Sequence, residues 1–142
     1  MKPNILILDD EAAVRTSFAF YLGRKGFAVT EAGTLAEGRQ ALMSQSVDGL
    51  LLDVNLPDGS GLDWIREVRE ARPATAIVVM TGIGDIPMAV QAMREGADHF
   101  VTKPVDMAEL EVFLRKSLEL GGLRRGNRAA QRQARRAAPF FG

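Results

Sequence analysis

Five short apolar runs, each followed by a stretch with helical spacing, constrain this chain more than any other feature. The runs are 4–8 (NILIL), 27–30 (FAVT), 49–52 (GLLL), 76–80 (AIVVM) and 99–102 (HFVT). Their near-continuous apolar character suits strands buried on both faces, as in parallel sheets. Helices are expected between and after them, at about 12–24, 35–45, 61–71, 87–96 and 107–119. Thr34 with Glu37, and Asp106 with Glu109, have the spacing of capping boxes that start helices. Parallel strands need right-handed helical crossovers, so five such units predict an α/β fold: a doubly wound, five-stranded parallel sheet. Its usual strand order is 2-1-3-4-5, with a ligand crevice above the carboxyl ends of the first and third strands.

A chain of 142 residues suits one domain. No apolar run approaches the roughly 18 residues of a membrane span. The aliphatic run behind Met1-Lys2-Pro3-Asn4 is too short for a secretory signal, and the chain has no cysteine. Together these predict a cytoplasmic protein without disulfide or thiolate–metal chemistry. The formal charge of zero hides two unlike parts: residues 121–142 carry six arginines and no acid, while residues 1–120 carry 12 basic and 18 acidic residues. A folded domain over 1–120 and a basic linker over 121–142 are expected, with Pro139 ending any helix there.

The chemistry is expected at the strand ends. Asp9, Asp10 and Glu11 follow the first run directly. Two carboxylates about 4 Å apart repel by roughly 4 kcal/mol at an effective dielectric near 20. They must point apart into water, bind a cation or hold a proton. Asp53 ends the third run in the same way, so Asp9, Asp10 and Asp53 are expected to converge on the crevice. Three carboxylates without a thiol favour a hard cation such as Mg²⁺. Thr81 after the fourth run, and Lys103 before Pro104 after the fifth, supply a hydroxyl and an ammonium. Such groups can hold the non-bridging oxygens of a phosphoryl group, which makes Asp53 a candidate nucleophile forming an acyl phosphate.

Taken singly, each residue has a plainer reading: Thr81 as a strand end, Lys103 as a surface lysine, any one acid as a loop residue or cap. Glu11 is read as the start of the first helix, and Asp58, between Pro57 and Gly59, as a turn residue. Gly82-Ile83-Gly84 hints at dinucleotide binding, but Pro87 stands where the third glycine belongs, so no nucleotide site is expected. His99, the only histidine, is read as a bystander.

Four separated segments agree in order and spacing with one family: Asp9-Asp10, the run Asp53-Val54-Asn55-Leu56-Pro57-Asp58-Gly59-Ser60-Gly61, Thr81-Gly82 and Lys103-Pro104. Over residues 4–119 the chain resembles the receiver domain of two-component response regulators. The resemblance implies a flavodoxin-like (βα)₅ fold and Asp53 as the phospho-acceptor. It implies Mg²⁺, replaceable by Mn²⁺, on Asp10, Asp53 and the backbone carbonyl of Asn55, with Asp9 acting through water. Thr81 and Lys103 would hold the phosphoryl oxygens, Phe100 would be an aromatic switch, and the Lys103–Pro104 peptide would be cis. The implied partner is a sensor histidine kinase. The implied role is a phosphorylation-dependent signalling switch, not an enzyme beyond its own phosphotransfer and autodephosphorylation.

The segment 80–104 is similar to receivers of σ54-dependent transcriptional activators of the nitrogen-regulation type. Leu123-Arg124-Arg125-Gly126-Asn127-Arg128 resembles their linker, with Gly126 a departure from the usual acid. A heptad frame puts Phe113, Leu120, Asn127 and Ala134 at a and Leu123, Ala130 and Ala137 at d. Gly121, Gly122 and Gly126 weaken such a helix by about 1 kcal/mol each. A homodimer through the helix 4 to helix 5 face and the linker is expected, with transcription controlled, and DNA contacted, only through an output domain outside these residues. Two rivals carry less. An Mg²⁺-dependent phosphohydrolase would need an acid where Asn55 stands, and a receiver-like binding module that is never phosphorylated would not need the complete acidic, threonine and lysine set.

Overall fold

The computed structural model describes residues 2–82 and 84–121. In chain order they form β1 (Asn4–Leu8), α1 (Ala12–Arg24), β2 (Ala28–Ala32), α2 (Leu35–Ser44), β3 (Gly49–Asp53), β4 (Asn55–Leu56) and β5 (Gly59–Ser60). α3 (Gly61–Ala71), β6 (Ala76–Thr81), α4 (Ile86–Glu95) and β7 (His99–Thr102) follow, and then α5 over 107–121. The five longer strands pair in parallel in the order β2-β1-β3-β6-β7. Counting only those strands, this is the predicted order 2-1-3-4-5. Among the described residues no helix is long and apolar enough to cross a membrane.

The pleat divides each apolar run between two cores, because successive strand residues face opposite sides. Ile5, Ile7, Leu51, Val78 and Met80 pack with Phe18 and Leu22 of α1 and Leu110 and Leu114 of α5. Leu6, Leu8, Leu50, Leu52, Ile77 and Val79 pack with α2, α3 and α4 on the other side, against Leu42, Trp64, Ile65 and Ala92. Each fully buried Leu, Ile or Val is worth roughly 1.5–3 kcal/mol against exposure. The two-sided burial makes the central strands a rigid base for the residues at their ends.

At both expected helix starts the cap residue accepts amides as the sequence indicates, while the return bond of a capping box reaches Glu37 from the residue before the cap. Thr34 Oγ1 accepts the Glu37 amide, Glu37 Oε2 in turn accepts the Gly33 amide, and Asp106 Oδ1 accepts the amides of Ala108 and Glu109. The stretch after Asp53 is more ordered than a simple turn. β4 and β5 pair Asn55 with Ser60 and Leu56 with Gly59, closing a small hairpin around Pro57-Asp58. Gly59 has φ 146°, a conformation that favours glycine.

α5 runs through Gly121, which is buried, so the helix does not break before the first of the paired glycines. Phe113 stacks on His99 with ring centroids 4.7 Å apart and packs on the core between α1 and α5. The first residue of the heptad frame therefore faces its own domain, while Leu120 is exposed. Residues 122–142, with the remaining heptad positions and the basic run, lie outside the described residues.

Candidate functional site

Strand register sets the site. Leu8 pairs with Leu52, and Asp53 pairs with Met80, so Asp9, Asp53 and Thr81 stand at neighbouring levels along one sheet edge. Asp9 and Asp53 continue the odd-numbered alternation of Ile5, Ile7 and Leu51, which belongs to the side covered by α1 and α5. Lys103 continues the same alternation from Val101. Period 2, carried to the end of β3 and one residue past β1 and β7, thus brings two carboxylates and an ammonium together.

Lys103 Nζ lies 2.9 Å from Asp9 Oδ2 and 2.9 Å from Asp53 Oδ2. Asp9 is fully buried and Asp53 nearly so. Asp9 Oδ1 accepts the Glu11 amide at 2.9 Å, and Asp53 Oδ1 accepts the Asn55 amide at 3.0 Å. Burial by itself would lower the Lys103 pKa, but the hydrogen bonds and charges of Asp53 and Asp9 outweigh it and hold the ammonium above its ordinary 10.5. The backbone amide of Lys103 donates to the Thr81 carbonyl at 2.8 Å, and the Lys103–Pro104 peptide is cis.

Two groups at this edge have no protein partner among the described residues. Thr81 is buried, and its Oγ1 makes no hydrogen bond, where a buried hydroxyl ordinarily has one. Asp10 is exposed, yet one oxygen of its carboxylate, one of Asp9 and one of Asp53 lie within 4.8 Å of one another. Oxygen donors at that spacing fit a hard divalent cation, and the two deeper acids already share a cationic group of the protein's own. Asn55 begins β4 two residues past Asp53, so its carbonyl belongs to the same turn of chain. Phe100, on the edge strand β7, is 37% exposed and so is not part of the core.

Two residues were not singled out by sequence as structural members of this edge. Arg15 Nη1 donates to the Asp9 carbonyl at 2.6 Å. Asp58 does more than form a turn: its two carboxylate oxygens accept the amides of Leu35 at 2.9 Å and Ala36 at 3.2 Å, capping α2 across the hairpin. These bonds, the Leu35 amide foremost, hold its pKa below the usual carboxylate value. The contacts are long-range, and only acid-after-proline spacing marks Asp58 in the sequence.

The family model described as the response regulator receiver domain matches residues 5–115. The chain belongs to this family. Among receiver-containing relatives, it is 36% identical over 119 residues to the response regulator protein PilR of Pseudomonas aeruginosa, covering 84% of this chain and 27% of PilR. It is 39% identical over 112 residues to the transcriptional regulatory protein FixJ of Azorhizobium caulinodans, covering 79% of this chain and 53% of FixJ. The chain thus spans about half or less of these relatives' length. A receiver-domain crystal structure from Clostridium thermocellum superposes with TM-score 0.79 at 32% identity, covering 85% of this chain and 98% of that one. NtrX from Brucella abortus gives 0.83 at 29% identity, covering 89% of this chain and 29% of NtrX. Receiver membership accounts for the order β2-β1-β3-β6-β7 and for the acidic cluster at its carboxyl edge.

Proposed function

We propose that this receiver domain is a phosphorylation switch whose acceptor is Asp53. The observation that carries the reading is the buried Thr81 hydroxyl, without a protein partner, at the end of the strand next to the one that ends in Asp53, whose carboxylate Lys103 already binds. A phosphoryl group on Asp53 would give both Thr81 and Lys103 acceptor oxygens. In the transfer, an Asp53 carboxylate oxygen forms a bond to phosphorus as the bond to the donor's imidazole nitrogen breaks, and that nitrogen keeps the bonding pair.

Mg²⁺, or Mn²⁺ in its place, is proposed on Asp10, Asp53 and the Asn55 carbonyl, with Asp9 behind them through water. Such an ion supplies positive charge to the transferring oxygens. Lys103 exchanges part of its carboxylate contact for a phosphoryl oxygen, and Thr81 donates to another. An apolar groove of about 590 Å³, lined by Val14, Phe18 and Pro104 among others, opens beside Lys103 and offers the donor histidine kinase a seat.

The proposed readout is self-association. Ile86, Val90 and Met93 form an exposed apolar stripe on α4, and Phe100 of β7 and Val112 and Leu120 of α5 are exposed as well. The added charge on Asp53, with the Thr81 and Lys103 shifts, would bias Phe100 and this face. The domain is read as residues 1–120 joined by the linker 121–142 to a transcriptional output domain of the σ54-activator kind, acting in the cytoplasm. The phosphohydrolase reading is weaker because Asn55 occupies the place of its second acid.

Acetyl phosphate with Mg²⁺, followed by intact mass measurement, tests the site. One phosphoryl adduct is expected, dependent on Mg²⁺ and absent from Asp53→Asn. An adduct that persists in Asp53→Asn overturns the acceptor assignment. Steady turnover of a phosphomonoester that Asp53→Asn abolishes would favour the hydrolase.

A further inference from the structure

Asp10 poses a question of support. Its carboxylate is exposed and makes no hydrogen bond or ion pair among the described residues, yet its oxygen stays within 4.8 Å of those of Asp9 and Asp53. Its place is therefore set by the backbone that leads into it. The Asp9 amide donates to the Ala32 carbonyl at 3.1 Å, and both oxygens of the Asp9 side chain are engaged. One group of that stretch remains, the Asp9 carbonyl, which belongs to the peptide joining Asp9 to Asp10. It accepts Arg15 Nη1 at 2.6 Å.

The guanidinium has its own seat. Arg15 Nε is 3.5 Å from Glu31 Oε1, an ion-pair distance too long for a strong hydrogen bond. A Cβ at Gly33 would stand 3.1 Å from Arg15 Nη1, so a side chain there would push the guanidinium by a few tenths of an ångström. Gly33 is tied to α2 through Glu37, and the start of α2 is tied to the hairpin after Asp53 through Asp58. A line of contacts thus runs from the Asp53 loop around to Asp10.

We infer that Arg15 is a positioning residue for the cation site: by fixing the Asp9–Asp10 peptide it sets where Asp10 stands relative to Asp9 and Asp53, with Glu31 and Gly33 as its seat. This rests on the reading that the three acids hold a divalent cation. Charge alone predicts the opposite effect. A guanidinium near three carboxylates opposes a second cation, so its loss would tighten cation binding if Arg15 acted only as a counter-charge.

The sign of one measurement separates the two. Mn²⁺ binding is titrated by electron paramagnetic resonance in the intact chain, its Asp10→Asn variant, Arg15→Ala, Arg15→Lys and Gly33→Ala, with thermal melts reporting folding. Arg15→Ala is expected to weaken Mn²⁺ binding about tenfold, the low end for groups that orient metal ligands. Arg15→Lys should recover part of that loss, and Gly33→Ala should weaken binding without removing any charge. A folded Arg15→Ala that binds Mn²⁺ equally or more tightly overturns the inference. Should Arg15→Ala fail to fold, unchanged affinity in Gly33→Ala overturns it instead. No Mn²⁺ binding by the unmodified chain, or binding indifferent to Asp10→Asn, overturns the cation reading and this inference with it; intact, Asp10-dependent binding that ignores Arg15 overturns the inference alone.

Discussion

At the carboxyl edge of the sheet this receiver domain buries charge, whereas on the face made by α4, β7 and α5 it leaves apolar side chains in water. Each reverses the usual partition, in which charged residues are seldom buried and large apolar ones mostly are. The edge is nearly self-sufficient: Lys103 serves Asp9 and Asp53 together, backbone amides serve the other oxygens, and Thr81 Oγ1 and the Asp10 carboxylate remain. What remains is small and polar, suited to an ion and a phosphoryl group. The face instead exposes Ile86, Val90 and Met93 along one stripe, and what it lacks is a broad apolar surface. The contrast separates a proposed input from a proposed output by chemistry as well as by position.

Removing Lys103 should have the largest effect and would test whether the edge really depends on its own cation. Lys103→Ala leaves a fully buried and a nearly buried carboxylate without their shared ammonium, so stability without metal should fall by about 2 kcal/mol, the low end for breaking such pairs. Denaturant unfolding measures it, and Mg²⁺ should restore more stability to the variant than to the parent. Because the Lys103 pKa is raised on folding, its contribution is fully present below 10.5 and is lost as pH rises through the folded value. The stability gap between parent and variant should hold at neutral pH and close in strong alkali.

The face is broken differently. Val90→Asp places a charge at the middle of the α4 stripe and should weaken self-association of the beryllofluoride-treated protein by about tenfold or more, equivalent to roughly 1.4 kcal/mol. Sedimentation velocity reads this, while the melting temperature and adduct formation should barely change. Unaltered self-association would remove the face from the proposed output and leave the edge untouched.

The smallest effect belongs to Asp58, which serves the edge only through α2. Asp58→Ala should lower the melting temperature modestly at neutral pH. Its carboxyl pKa is depressed on folding, so its contribution is present above the ordinary 3.8 and disappears as pH falls through the folded value. Melts of parent and variant should therefore converge in acid. A gap that persists there would mean that Asp58 acts through packing and not through its charge.

Much of this is legible in the sequence. The runs NILIL and GLLL predict central parallel strands, and the acids directly behind them predict a shared carboxyl edge. The β2 run extended to Ala32 and the β3 and β6 runs took in Asp53 and Thr81, because pairing continues past the last apolar residue wherever a neighbouring strand still offers partners. The hairpin over 55–60 was missed, since two residues per strand carry no periodicity. Arg15 and Asp58 were missed as supports for a related reason: their partners are backbone groups, and any residue can supply those.

By itself the sequence determined the alternation of strand and helix, the order in which five strands assemble, and the residue types delivered to each strand end, because burial and the two-residue pleat are local consequences of side-chain pattern. Only the tertiary structure decided which of those polar groups meet. Lys103 bonds both Asp9 and Asp53, and the Thr81 hydroxyl goes without a protein partner, because strands more than 20 residues apart in the chain are set level by parallel register, which no local pattern contains.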